Sequence, residues 1–254
     1  MSSEKKSFTK REKRIIGILA IAAILVLGVF AWMMYANDYY RAKETAKEAM
    51  QGNSAIEVTE KDGYYVFSTR VTSSFRGPEH GNGIIFYPGG KVEETAYAPM
   101  LLELANQGYE VYLVKMPAKL AVFGMNAAED IIEDASHIKE WTMMGHSLGG
   151  AMAASFSANH DEEIDRLVLL AAYSTEDLTD KEIDVFSFYG TEDKVLNMEK
   201  YKEYRSNLPE DTVEEVIEGA NHANYAYYGA QEDDGEASIT REEQQRRVLD
   251  VLNQ

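Results

Sequence analysis

Residues 15–34 (IIGILAIAAILVLGVFAWMM) run for twenty positions without a charge, and this stretch constrains the chain more than any other. As a helix rising about 1.5 Å per residue it spans roughly the 30 Å of a hydrocarbon core. Before it, Lys5, Lys6, Lys10, Arg11, Lys13 and Arg14 outnumber Glu4 and Glu12, for a local charge of +4. Basic flanks stay in the cytoplasm, and Trp32, Tyr35, Tyr39 and Tyr40 fall where aromatic rings settle in the far interface. The expected organisation is a cytoplasmic basic tail over 1–14, a transmembrane anchor over 15–35, a stalk or linker over 36–54, and a domain over 55–254 outside the cytoplasm. A cleaved secretion signal, with Val29 and Ala31 before the cut, is the competing reading, but its apolar stretch runs to only about 7–15 residues. Residues 36–51 are rich in helix formers and end at Gly52, Asn53 and Ser54, so the stalk reads as a short helix or a solvated linker.

From residue 55 on, short β-rich runs alternate with helical patterns, which predicts an α/β domain with a mostly parallel sheet. Eight strands are expected, at 55–60, 63–70, 83–88, 109–115, 140–145, 165–172, 184–190 and 212–218. The first two are joined through Lys61, Asp62 and Gly63 as a hairpin. Pro99 opens a helix that Gly108 closes, another follows Ser147, and a last one starts near Thr240, whose spacing to Glu243 is that of a capping box. With 45% of residues hydrophobic, the chain can bury the core of one domain, or at most two small ones.

Charge and composition exclude several functions. The net charge is -18, and -22 beyond residue 14, so an electrostatic grip on nucleic-acid phosphates is not expected. The chain has no cysteine, which removes disulfides, thiolate metal sites and a cysteine nucleophile. Neither zinc-type histidine spacing nor a phosphate-binding P-loop occurs, and no metal or cofactor is expected. The acidic run 232–236 lacks the ligand spacing of an EF-hand and reads as a solvated loop.

The strongest chemical signal is Gly145-His146-Ser147-Leu148-Gly149, a G-x-S-x-G between an expected strand and an expected helix. A nucleophile on so tight a turn holds a strained backbone, and side chains two before and two after it would collide. Such a turn presents Ser147 at the carboxyl edge of the sheet and at a helix N-terminus, where the Leu148 amide can stabilise an oxyanion. On such a sheet the acid and then the histidine follow the serine in the chain. Of the five histidines only His160 and His222 lie beyond Ser147, and His160 sits too far along the serine's own helix. His222, directly after the last strand, is therefore the candidate base. The strand before that ends in Gly190-Thr191-Glu192-Asp193, where Asp193 is the first choice to hold the imidazole and Glu192 the second. A further oxyanion amide should come from the loop after the third strand, Pro88-Gly89-Gly90-Lys91: Gly90 first, then Lys91. Tyr225, Tyr227 and Tyr228, just past His222, are candidates for an aromatic wall of the cleft.

GHSLGG around Ser147, YGTEDKV around Asp193, EGANHANYAYYG around His222 and FYPGGKVEETAYAP after the third strand together resemble the α/β-hydrolase superfamily, over roughly residues 55–254. They are most similar to its compact, cap-poor family-5 branch, related in shape to dienelactone hydrolases, which use cysteine where this chain has Ser147. The resemblance implies an acyl-enzyme on Ser147, deprotonated by His222 and supported by Asp193, then hydrolysis of an ester or, second, an amide. The connection 173–183 is too short for a lid domain, so an open cleft suits a small ester or the exposed end of a larger, cell-surface molecule. Two other readings share these residues: a catalytically silent binding module of the same fold, and an acyltransferase using the same triad.

Overall fold

The strand-and-helix alternation of the sequence becomes a single eight-stranded sheet in the computed structural model, which describes residues 9–70 and 81–252. Residues 1–8 of the expected basic tail, His80 and residues 253–254 lie outside the described residues. The chain divides into two compact units, Met1–Asp38 and Tyr39–Gln254.

Among the described residues the first unit is one helix, α1 (Lys10–Asn37). Thr9 opens it with a capping box, its hydroxyl accepting from the Glu12 amide while the Glu12 carboxylate accepts from the Thr9 amide. Over Lys10–Tyr35 it is long and apolar enough to cross a membrane, and it is the one such helix among the described residues.

In the second unit the strands are β1 (Ile56–Glu60), β2 (Tyr64–Thr69), β3 (Asn82–Tyr87), β4 (Glu110–Val114), β5 (Glu140–His146), β6 (Arg166–Leu170), β7 (Asp184–Gly190) and β8 (Val213–Ile217). Their order is β1-β2-β4-β3-β5-β6-β7-β8, and β2 alone runs against the rest. The hairpin forms where expected: Gly63 takes a positive φ of 84° and the Lys61 amide donates to Tyr64 O. The helices are α2 (Glu44–Ala49), α3 (Ala98–Asn106), α4 (Ala127–Asp134), α5 (Leu148–Asn159), α6 (Met198–Tyr204) and α7 (Arg241–Leu252).

Because successive strand side chains point to opposite faces, the sheet separates two cores. Ile84 and Phe86 of β3 join Leu101 and Leu104 of α3 and Val248 of α7 on one face. Ile85 and Tyr87 join Ile131 of α4 and Phe156 of α5 on the other. Parallel strands covered on both faces must be apolar throughout, which is why the central runs were legible as strands.

The stalk expected over 36–54 is corrected. Apart from residues 36–38, that segment belongs to the second unit: Ala42 and Ala46 are buried, and α2 is only six residues long. A six-residue helix has little stability alone and persists because its alanine face is covered. Tyr40 adds a backbone bridge to Val92, with its amide donating to Lys91 O at 2.8 Å and its carbonyl accepting from Glu93 N at 2.9 Å.

Candidate active site

Ser147 sits where β5 turns into α5, with φ 52° and ψ -123°. This backbone is unfavourable for a side-chain-bearing residue, and its neighbours hold it in place: the Ser147 amide donates to Leu170 O at 2.9 Å. The glycines around it are required by space. A Cβ on Gly145 would lie 2.6 Å from Gly149 C, Gly149 O and Gly150 N, and one on Gly149 would fall inside contact distance of Tyr87 O and Pro88 O. The first turn of α5 therefore lies directly against the ends of β5 and β3.

Asp193 and His222 reach this edge from the loops after β7 and β8. His222 Nδ1 and Asp193 Oδ2 are 2.8 Å apart, with the side chains 2% and 0% exposed. Asp193 Oδ1 accepts from the amides of Val195 at 2.9 Å and Leu196 at 2.8 Å, which locks the carboxylate. Glu192 is not part of this pair. With Nδ1 turned to the carboxylate, Nε2 is the nitrogen left for a substrate or Ser147. Ser147 and His222 line one pocket of about 330 Å³. No hydrogen bond joins them among the described residues, a looseness common in unliganded sites.

The other described histidines have different partners. His137 is exposed beside Glu110, and His160 ends α5, stacked on Phe156 and 3.2 Å from Glu129. His146 is buried, its ring centroid 4.5 Å from that of His222, and its Nδ1 lies 2.8 Å from Tyr97 Oη. Tyr97 Oη also accepts from the Gly89 amide at 3.0 Å, so its proton points to His146. Burial first, and the neighbouring His222 second, push His146 well below the usual histidine range, so it stays neutral.

The oxyanion candidates separate. The Leu148 amide opens α5, and neither it nor the Gly90 amide donates to another group among the described residues. The two residues are neighbours, since a Cβ on Gly90 would lie 3.0 Å from Leu148 Cδ2. Lys91 is corrected: its amide donates to Lys119 O at 2.7 Å and is not available to a substrate.

The aromatic wall is also corrected. Tyr225, Tyr227 and Tyr228 do not line the pocket; they are 0%, 8% and 3% exposed and belong to the α3 and α7 core. After His222 the chain makes a single tight turn over Ala223–Tyr225 and dives under the sheet edge, because three large rings bury more surface there than in an open loop. The pocket wall comes instead from Leu148, Met152, Ala172, Val195 and Leu196, with Tyr173, Thr175 and Asn197 supplying polar groups. The connection 171–183 has no helix or strand of its own.

Two supporting residues were missed. Asp234, in the acidic run read as solvated, accepts from the amides of His222 at 3.2 Å, Ala223 at 2.9 Å and Gly235 at 2.8 Å, and so fixes the loop that carries the histidine. Gln244 of α7 pairs with both backbone groups of Asn221 on the other side. No local sequence signal marks either role. Among the described residues no group of three His, Cys, Asp or Glu side chains is arranged to hold a metal ion.

A comparison with protein families matches residues 83–246, well over half of the chain, to the one described as the alpha/beta hydrolase family. Solved structures of similar shape include a predicted CIB-like hydrolase from Thermoplasma acidophilum, at 20% identity and TM-score 0.55, covering 78% of this chain and 96% of that one. Carboxylesterase CesB from Bacillus subtilis is similar at 12% identity and TM-score 0.55, over 88% and 97% of the two chains. Esterase 2 from Thermogutta terrifontis, in a butyrate-bound structure, is similar at 12% identity and TM-score 0.54, over 79% and 94%. Comparison with the curated proteins found no match.

Proposed function

The chain belongs to the alpha/beta hydrolase family, and from that premise we propose that it is a membrane-anchored serine hydrolase that cleaves an ester through an acyl-enzyme on Ser147. The observation that carries the reading is His222, paired with the buried Asp193, in one pocket with a serine held at positive φ. In the reaction His222 Nε2 takes the proton of Ser147 Oγ as the oxygen attacks the ester carbonyl. The charge on the carbonyl oxygen falls to the amides of Leu148 and Gly90, the first reinforced by the α5 dipole. Asp193 stabilises the imidazolium, which returns its proton to the departing alcohol. Water, activated by the same histidine, then releases the acid and restores Ser147.

An ester is favoured over an amide by the names of the esterases that share the shape. The pocket is small, and no Asp, Glu, Lys or Arg lines it, which suits a short uncharged group. The α1 helix, long and apolar enough to span, and the basic residues before it favour a single-pass anchor with the domain outside the cytoplasm.

Labelling of the full-length chain in detergent with a fluorophosphonate probe, read by intact mass, tests the chemistry. One adduct on the parent and none on Ser147→Ala or His222→Ala is the expected result. A folded parent that takes no adduct would refute the hydrolase and leave a silent binding module of the same fold.

A further inference from the structure

The domain begins at Tyr39, and the place where Tyr39 is fastened lies on the catalytic edge of the sheet. Tyr40 pairs with Lys91 and Val92, in the loop that follows β3 and carries Gly90. The Tyr39 ring lies under Lys119 Nζ at 5.5 Å and under the Arg41 guanidinium at 4.5 Å. Lys119 leads into the turn 120–123 after β4, also at the carboxyl edge. On that turn Leu120 faces Gly90, whose added Cβ would lie 3.7 Å from Leu120 Cδ2 and 3.0 Å from Leu148 Cδ2. Leu148 follows Ser147 and lines its pocket. The entry of the chain and the mouth of the site are thus separated by a few side chains.

Beyond Leu120, Val122 and Phe123 are 47% and 55% exposed. Among the described residues of the second unit, the other exposed large hydrophobic side chains are Val213 and Val216, at 44% and 43%, on the sheet's edge strand β8. An apolar pair on a tight turn, a few residues past the Lys119 that covers the Tyr39 ring, has the chemistry of an interfacial anchor. The tether is short as well: the span ends at Tyr35, and four residues of extended chain reach at most ~14 Å, so Tyr39 is confined near the membrane surface.

We propose that the carboxyl edge of the domain rests on the bilayer, with the turn 120–123 dipping into it, and that Ser147 acts on the ester of a membrane amphiphile. The proposal rests on the span and on the serine-hydrolase reading. The pocket takes the short group next to the ester, and the rest of the lipid remains in the membrane. The acyl group passes to Ser147 Oγ, the alcohol leaves with the proton from His222, and water releases the acid.

The chain has no cysteine, so Val122→Cys and Val213→Cys can each carry a single nitroxide in the full-length protein reconstituted in phosphatidylcholine vesicles. Collision with oxygen against an aqueous nickel complex gives depth. The expected ratio at 122 is roughly tenfold that at 213, as for a group buried in the headgroup region. Equal ratios would overturn the proposal, and spin–spin broadening at 122 would do so by showing a second copy of the chain on the turn. In parallel, Val122→Ser/Phe123→Ser should lower hydrolysis of a vesicle-embedded lipid ester roughly tenfold or more, from the apolar surface lost, and change turnover of soluble p-nitrophenyl butyrate less than about twofold. Equal loss on both esters, or none on either, would overturn the lipid substrate. A parent inert on both esters, with the 122 label at membrane depth, refutes the hydrolase reading while the membrane-facing edge stands.

Discussion

Gly145→Ala tests whether the serine turn depends on backbone contact rather than on glycine flexibility. The new Cβ would lie 2.6 Å from three backbone atoms of the first turn of α5, whereas real Cβ atoms do not approach closer than 3.0 Å. The turn and the strand must therefore part by about 0.4 Å or more, and no flexible side chain is available to absorb this. Overpacking of this kind costs about 1–3 kcal/mol. Displacements approaching 1 Å at a reacting atom cost on the order of 10²-fold in rate, so roughly a tenfold loss is expected from a shift of half that size. Urea unfolding gives the first quantity and the fluorophosphonate labelling rate the second. Gly90→Ala is the contrasting stability variant, because its nearest contact, Leu148 Cδ2 at 3.0 Å, is the end of a movable side chain. It should stay within about 1 kcal/mol of the parent. If Gly145→Ala kept both the parent's stability and its labelling rate, the steric account of the turn would be wrong.

Asp193→Asn should leave the fold in place and lower ester turnover by about 10³–10⁴, because the imidazole loses its orienting charge; a loss under about tenfold would remove Asp193 from the proposed triad. Asp234→Ala strips the acceptor from the amides of His222, Ala223 and Gly235. A cost of about 2 kcal/mol in urea unfolding is expected from charged hydrogen bonds of this kind, together with lower kcat, and parental values for both would show the loop to be held by other groups. For His146, whose folded state favours the neutral form, the unfolded chain binds the extra proton. Its contribution to stability is therefore present above about pH 6.5 and is lost as pH falls below it, by up to about 1.4 kcal/mol per pH unit. The stability difference between the parent and His146→Gln, followed from pH 7.5 to 5, should shrink accordingly; a constant difference would contradict a neutral buried imidazole.

What could be seen in the sequence followed from how local each cause is. Strands of a sheet buried on both faces must be continuously apolar, so 83–88, 109–115 and 140–145 announced β3, β4 and β5 within a residue or two. Helices α4 and α6 escaped notice because they are short, at eight and seven residues, and α6 buries only Tyr201. Gly145 was readable because the collision it avoids, with Gly149 and Gly150, lies within a few residues of the serine, whereas Gly149 avoids Tyr87 and Pro88 at the end of a strand far back in the chain. The positions of Asp193 and His222 followed from chain order, since each lies in the first loop after its strand.

The second oxyanion amide, the tyrosines and Asp234 could not be decided that way, for reasons that lie far along the chain. Lys91 lost its free amide to Lys119, the three tyrosines were drawn under α3 and α7, and Asp234 gained its role from the backbone of a loop eleven or twelve residues earlier. The sequence by itself determined the long apolar helix, the positions of the strands along the chain and the glycine two residues before Ser147, because these depend on neighbours in the chain. Which groups are spent holding the fold and which remain open to a substrate was decided only by the tertiary structure, because a hydrogen bond or a buried ring satisfied by one distant partner is no longer available to another.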